Sequence, residues 1–162
     1  MVEPFDTIDA YRTFDRCGLR EVKHLRALTA QFPRCVELWD FLGDVMQICE
    51  EDGYRIADSI ECYKKAISID PDYAIAHESL GFAYDTYFDD FDSASRHFRH
   101  ALATGGSDSA KLGLARVLAQ QGRIENANAI LETCTQPRSS DWFTLRDEIA
   151  NGTWCDTPRG TA

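Results

Sequence analysis

The chain has 162 residues and a formal net charge of −10, and 44 % of its residues are hydrophobic. This length and composition predict one domain that buries its own core without disulfides or a structural metal. No stretch approaches the roughly 18 apolar residues of a membrane span, and the first residues lack the basic cap and apolar run of a secretion signal. We therefore expect a cytoplasmic protein with no membrane partner.

Charge is distributed unevenly along the chain. Residues 11–34 carry six basic and two acidic side chains, whereas residues 36–92 carry three basic and fifteen acidic side chains. Because the acidic block repels phosphate, we expect no nucleic-acid partner. Contact between the basic block of one copy and the acidic block of another is one route to self-association.

The residue types that carry chemistry form no recognisable active site. The six cysteines include no C-x-x-C pair and no Cys/His cluster at zinc spacing, so we expect reduced thiols, no metal and no other cofactor. Phosphate-binding loops, nucleophile elbows and H-E-x-x-H motifs are also missing. His97 and His100 share one helix face, but no second helix offers a matching Glu-x-x-His motif. We predict no catalytic residues and a protein that is not an enzyme.

Residues 1–35 predict a helical hairpin interrupted at Gly18. Its second helix has apolar residues at three- and four-residue spacing and ends at Pro33. The apolar positions are Leu19, Val22, Leu25, Leu28 and Phe32.

Three related helix pairs follow. Their first helices align on Trp39-x-x-Leu42-Gly43, His77-x-x-Leu80-Gly81 and Lys111-x-x-Leu114-Ala115. Their second helices share a small–large–small pattern, at Ser59/Tyr63/Ala66, Ala94/Phe98/Ala101 and Ala127/Leu131/Cys134. Small residues seven positions apart allow a neighbouring helix to approach closely, and the large residue between them fills the remaining space. One such hairpin cannot bury its apolar face alone, so we predict a stack.

The stretch YDTYFDDFDSA, residues 84–94, lies between the helices of the second pair. It lacks the Gly and the closing Glu of a calcium-binding loop, and it therefore predicts a turn. Phe91 is expected to enter the next helix as an apolar anchor, and Asp90 or Asp92 to cap it.

The last periodic segment, SSDWFTLRDEIANG, has Ser-Ser at its start, four apolar residues and an Asn-Gly stop. It predicts the capping helix that a repeat array needs at an open end. The remaining residues have no periodicity, which predicts a loose tail.

These patterns resemble the tetratricopeptide repeat (TPR) family, with its W-x2-LG opening, A-x3-F-x2-A second helix and closing Asp70-Pro71. The first pair is the longest, with 16 residues from Gly43 to Ser59, a feature similar to Sel-type repeats. The resemblance implies an all-α, right-handed solenoid of stacked antiparallel hairpins. Its expected parts are a degenerate hairpin (1–35), three repeats (36–73, 74–107 and 108–136), a capping helix (137–151) and a tail (152–162).

In this family the first helix of each hairpin lines a groove that receives a peptide or helix of another protein. Asp40 and Asp44 stand where the family's carboxylate clamp has Lys and Asn, so the resemblance disfavours an acidic ligand. We predict an adaptor that binds a segment with Lys or Arg beside an apolar residue. The alternatives are carboxylates that only maintain solubility, a self-associating homo-oligomer and, as a distant third, an enzyme or metal-binding protein. The expected groove residues are Glu37, Asp40, Asp44, Gln47, Ile75, Glu78, Phe82, Asp85, Ser109, Leu112, Arg116 and Ala119.

Overall fold

The computed structural model describes Ile8 and residues 18–49, 54–135 and 139–153. These residues form α-helices joined by short turns and contain no strand, which confirms the all-α prediction. The expected helix before Gly18 and most of the expected tail lie outside the described residues. The described helices are α1 (Leu19–Gln31), α2 (Val36–Ile48), α3 (Ile56–Ile69), α4 (Ala74–Phe88), α5 (Phe91–Ala103), α6 (Asp108–Gln120), α7 (Ile124–Leu131) and α8 (Ser140–Ala150).

Side chains cap the N-termini of α5, α6 and α8, whereas α1, α2, α3 and α7 begin without a side-chain cap hydrogen bond. The Asp90 carboxylate accepts a hydrogen bond from the Ser93 backbone N–H at 3.0 Å, so Asp90 caps α5. Ser139 caps α8 in the same way, with 3.2 Å between its Oγ and the Trp142 nitrogen. Gly122 follows α6 with φ of 76°, a left-handed conformation that favours glycine. The turn predicted from residues 84–94 is confirmed.

Contacts divide the chain into two compact units, residues 1–80 and 81–162, and the division falls within α4. In the first unit α2 packs against both α1 and α3. The Tyr63 ring of α3 is fully buried against Gly43 of α2, where an added Cβ would lie 2.5 Å from a ring carbon. The glycine of the opening motif therefore allows the two helices of this hairpin to approach closely.

The second unit contains the same contact twice. The Phe98 ring of α5 is fully buried between Gly81 of α4 and Gly113 of α6, where an added Cβ would lie 2.7 and 2.4 Å from ring carbons. Further along the chain, α6 packs against α7, and α8 packs against both. The large central residue predicted for the second repeat thus joins one hairpin to the next.

No helix in the described ranges has the length and apolar character needed to span a bilayer.

Candidate functional site

The expected groove residues of α2 surround the hydroxyl of Tyr63. Tyr63 donates a hydrogen bond to Asp44 Oδ1 at 2.8 Å and accepts one from Gln47 Nε2 at 2.8 Å. Burial, followed by the charge and hydrogen bond of Asp44, raises the pKa of Tyr63 far above its ordinary value, so the hydroxyl remains a donor. Asp44 and Gln47 are otherwise exposed, and the network holds them at the surface of α2.

The other acidic residues expected in the groove are less exposed than the alignment implies. Asp40 is only 5 % exposed. Glu37 is half-buried and accepts a hydrogen bond from Cys35 Sγ at 3.4 Å, and Glu78 is half-buried on α4. In this unit, Asp44 and Gln47 are therefore the exposed polar residues of the expected groove, and Ile75 of α4 is exposed as well.

Two of the apolar residues expected in the groove, Phe82 and Leu112, also belong partly to the core. The Phe82 ring meets the Phe98 ring edge-on, with 4.9 Å between centroids. Leu112 of α6 is half-buried against the core of the second unit. It also lines an open cavity of about 260 Å³ together with Cys134 and Trp142.

Asp85 and Arg116 meet in the second unit. Asp85 is 4 % exposed, and its Oδ2 lies 3.6 Å from Arg116 Nη1, while its buried Oδ1 has no hydrogen-bond partner among the described residues. Burial raises the pKa of Asp85 above its ordinary 3.8, whereas the Arg116 charge and a hydrogen bond from the Gln120 side chain act in the opposite direction. Both side chains line a cavity of about 410 Å³, which we call the acidic cavity.

The remaining wall of the acidic cavity comes from α8, which the sequence predicted only as a cap. Trp142, Leu145 and Ile149 of α8 are buried, as expected for a cap. Asp141, Thr144 and Glu148 line the cavity, with Thr86 of α4 and Gln120 of α6 completing its polar surface. The spacing of these three residues, i, i+3 and i+7, places them on one helix stripe. This polar stripe could have indicated from the sequence that α8 lines a site, but the helix was interpreted only as a cap.

Removal of the Arg116 charge tests the electrostatics of this pair. In the Arg116→Gln variant we expect the pKa of Asp85 to rise further, because burial then acts without a nearby cation. Because the folded-state pKa of Asp85 is above its unfolded-state pKa, the folded protein binds this proton more tightly. The free energy of unfolding therefore decreases as the pH rises through the folded-state pKa. Carbon-13 NMR titration of the Asp85 carboxyl measures the shift. Asp90, whose pKa is lowered by hydrogen bonds from Ser93, is the internal control and should not move. An unchanged or lower Asp85 pKa in the variant would contradict this account.

A larger cavity, of about 600 Å³, lies in the first unit between α1, α2 and α3. Trp39, Met46 and Cys62 line it, and burial raises the pKa of the Cys62 thiol to about 11. The Cys62 thiol lies 3.9 Å from Met46 Sδ. Sequence reasoning did not anticipate this cavity, because its walls come from two hairpins.

The surroundings of His97, one of the two histidines considered as a possible metal site, are aromatic. The His97 ring stacks on the Tyr84 ring, with 5.5 Å between centroids and 12° between planes. Within the described part of the chain, no group of three or more His, Cys, Asp or Glu side chains could hold a metal ion.

Helix pairs that pack on one another through small residues define a helical-repeat fold. Residues 55–85, which span α3 and most of α4, match the sequence profile described as TPR repeat. No curated protein sequence matches the chain.

Solved structures with the same fold include TTC0263, a thermophilic TPR protein of Thermus thermophilus. It is 22 % identical, with a TM-score of 0.61 over 82 % of this chain and 71 % of that one. Two structures of MamA have TM-scores of 0.60 and 0.59 at 17 % and 15 % identity. The matches cover 81 % and 88 % of this chain and 70 % and 69 % of theirs. These structures share the fold of this chain, and the match over residues 55–85 supports the resemblance to tetratricopeptide repeats that was stated from the sequence.

Proposed function

We propose that this protein is a non-enzymatic interaction module that binds a segment of another protein along its first helices. Tetratricopeptide repeats generally mediate protein–protein interactions, and repeat arrays use extended surfaces for this purpose. The observation that carries the proposal is the acidic cavity, which opens between α4, α6 and α8 and combines charged side chains with the buried Asp85.

As predicted from the sequence, the partner segment is basic and apolar. Its main binding site is the acidic cavity, however, and not the surface of α2 around Asp40 and Asp44. Asp40 is buried, whereas Asp141 and Thr144 are exposed and line an open cavity. Leu112, one helical turn before Arg116 on α6, supplies an apolar surface beside the charged one. Asp44 and Gln47 offer a second polar contact surface on α2.

Site-specific photo-crosslinking tests where a partner binds. Thr144 replaced by a benzoyl-phenylalanine crosslinker is expected to trap a partner in a lysate of the native cells. The same crosslinker at Asn128, an exposed residue of α7, is the control and should trap little. The proposal predicts that the Thr144 adduct joins this chain to a different protein, and that excess unlabelled chain prevents it. Equal adducts at both positions, or adducts only with copies of the same chain, would overturn it, the latter in favour of self-association.

A further inference from the structure

The acidic cavity has an excess of negative charge around a buried carboxylate. Three of its lining residues, Asp85, Asp141 and Glu148, carry carboxylates, and Arg116 carries the positive charge that faces Asp85. The 3.6 Å separation between Arg116 and Asp85 is longer than the roughly 2.7–2.9 Å of a charge-assisted hydrogen bond. The Asp85 side chain is only 3 % exposed, and its Oδ1 atom has no hydrogen-bond partner among the described residues. Gln120 and Arg116 already face the buried Asp85 carboxylate, so a ligand in the open cavity meets mainly the carboxylates of Asp141 and Glu148.

The composition of the cavity selects the kind of ligand. An anion would meet three carboxylates, and within the described chain no cluster has the geometry to hold a metal ion. The cavity volume of about 410 Å³ lies within the range of roughly 300–1,000 Å³ typical of ligand sites, so the end of a long side chain can enter it. Arg116 is 40 % exposed, which leaves room for it to move aside.

A smaller apolar cavity lies next to the acidic one. Asp141 lines both cavities, and Leu112 and Trp142 form apolar parts of the smaller one. Leu112 and Arg116 are separated by one helical turn, a rise of about 6 Å. An extended chain advances roughly 6.6 Å over two residues, and residues i and i+2 point to the same side. Side chains two positions apart can therefore enter both cavities.

We propose that the acidic cavity holds a lysine or arginine side chain of the partner segment, and that the smaller cavity holds an apolar side chain two positions away. Asp141 and Glu148 contact the guest cation, and Asp85 forms the acidic floor. This inference rests on the proposed function, because it names the chemistry of the partner segment at that site.

Selection from a displayed library of random heptapeptides on the purified protein tests this recognition. Enriched peptides should share a basic residue and an apolar residue separated by one position. Synthetic copies of them should bind the Asp141→Asn/Glu148→Gln double variant roughly fivefold or more weakly. The control is Asp147→Asn, which removes one negative charge, against two in the double variant, from the exposed face of α8, where Asp147 pairs with Arg146 at 2.9 Å. This variant should bind as the wild type does, and all variants should melt within a few degrees of it.

The outcomes separate the two proposals. Peptides with the basic–x–apolar pattern that lose affinity only for the double variant support the inference. If the enriched peptides lack a basic residue, or bind the double variant as tightly as the wild type, the inference is wrong. In that case, if the same peptides prevent formation of the Thr144 crosslink to the partner, the proposed function still stands. A library that yields no binding peptide counts against both.

Discussion

The Gly113→Ala variant is expected to lose about 1–3 kcal/mol of unfolding free energy, although alanine favours helix over glycine by about 1 kcal/mol. The added Cβ would lie 2.4 Å from the Phe98 ring, and that ring is fully buried. The ring cannot retreat toward α4, because Gly81 and the Phe82 ring contact it on that side. Urea unfolding followed by far-ultraviolet circular dichroism measures the change.

Removal of the ring should reverse the sign of this effect. Phe98→Ala alone is expected to cost about 3–5 kcal/mol, since it leaves a cavity between α4, α5 and α6. In that background Gly113→Ala meets no ring and should stabilise the helix by up to about 1 kcal/mol. The two Gly113→Ala effects form a double-mutant cycle. If Gly113→Ala has the same effect with and without Phe98, the close approach does not determine the packing.

Trp142→Ala is expected to release α8 and to cost about 3–5 kcal/mol. The Trp142 side chain is 2 % exposed, and its Nε1 donates a hydrogen bond to the Leu131 carbonyl at 2.9 Å. The substitution removes buried apolar area and also leaves that carbonyl without its donor. Because α8 forms one wall of the acidic cavity, the variant should also lose peptide binding.

The neighbouring aromatic residue is the matched control. Phe143 is 45 % exposed and its ring meets Trp142 edge-on, so Phe143→Ala should change the free energy of unfolding by less than about 1 kcal/mol. Thermal melting and amide hydrogen exchange in α8 distinguish the two variants. Equal losses would mean that Trp142 does not anchor α8.

Several features of the fold were predictable because they depend on local geometry. The small–large–small pattern at Ala94, Phe98 and Ala101 predicted three residues on one stripe, and all three are fully buried. Asp90 was predicted as a cap because a carboxylate before a helix accepts a backbone hydrogen bond within the same turn. Neither prediction required knowledge of distant residues.

The candidate site was less predictable, because exposure depends on what packs against a residue from elsewhere in the chain. Asp40 and Asp44 occupy the same helix one turn apart, yet Asp40 is buried and Asp44 is exposed at the Tyr63 hydroxyl. The sequence alignment placed both residues on the surface of the groove. Phe82 was predicted as a groove residue, and its contact with Phe98 also makes it part of the core.

By itself, the sequence determined the fold class of this protein: paired helices, some of their caps, and the small-residue spacing that stacks them as in tetratricopeptide repeats. These properties follow from periodicity and cap chemistry, which act over a few residues. Only the tertiary structure brought Asp85, Arg116 and Glu148 to one cavity, because they belong to three helices separated by many residues in the chain. The physical reason is that the charge balance and volume of a cavity depend on distances through space, and the helical period does not encode these distances.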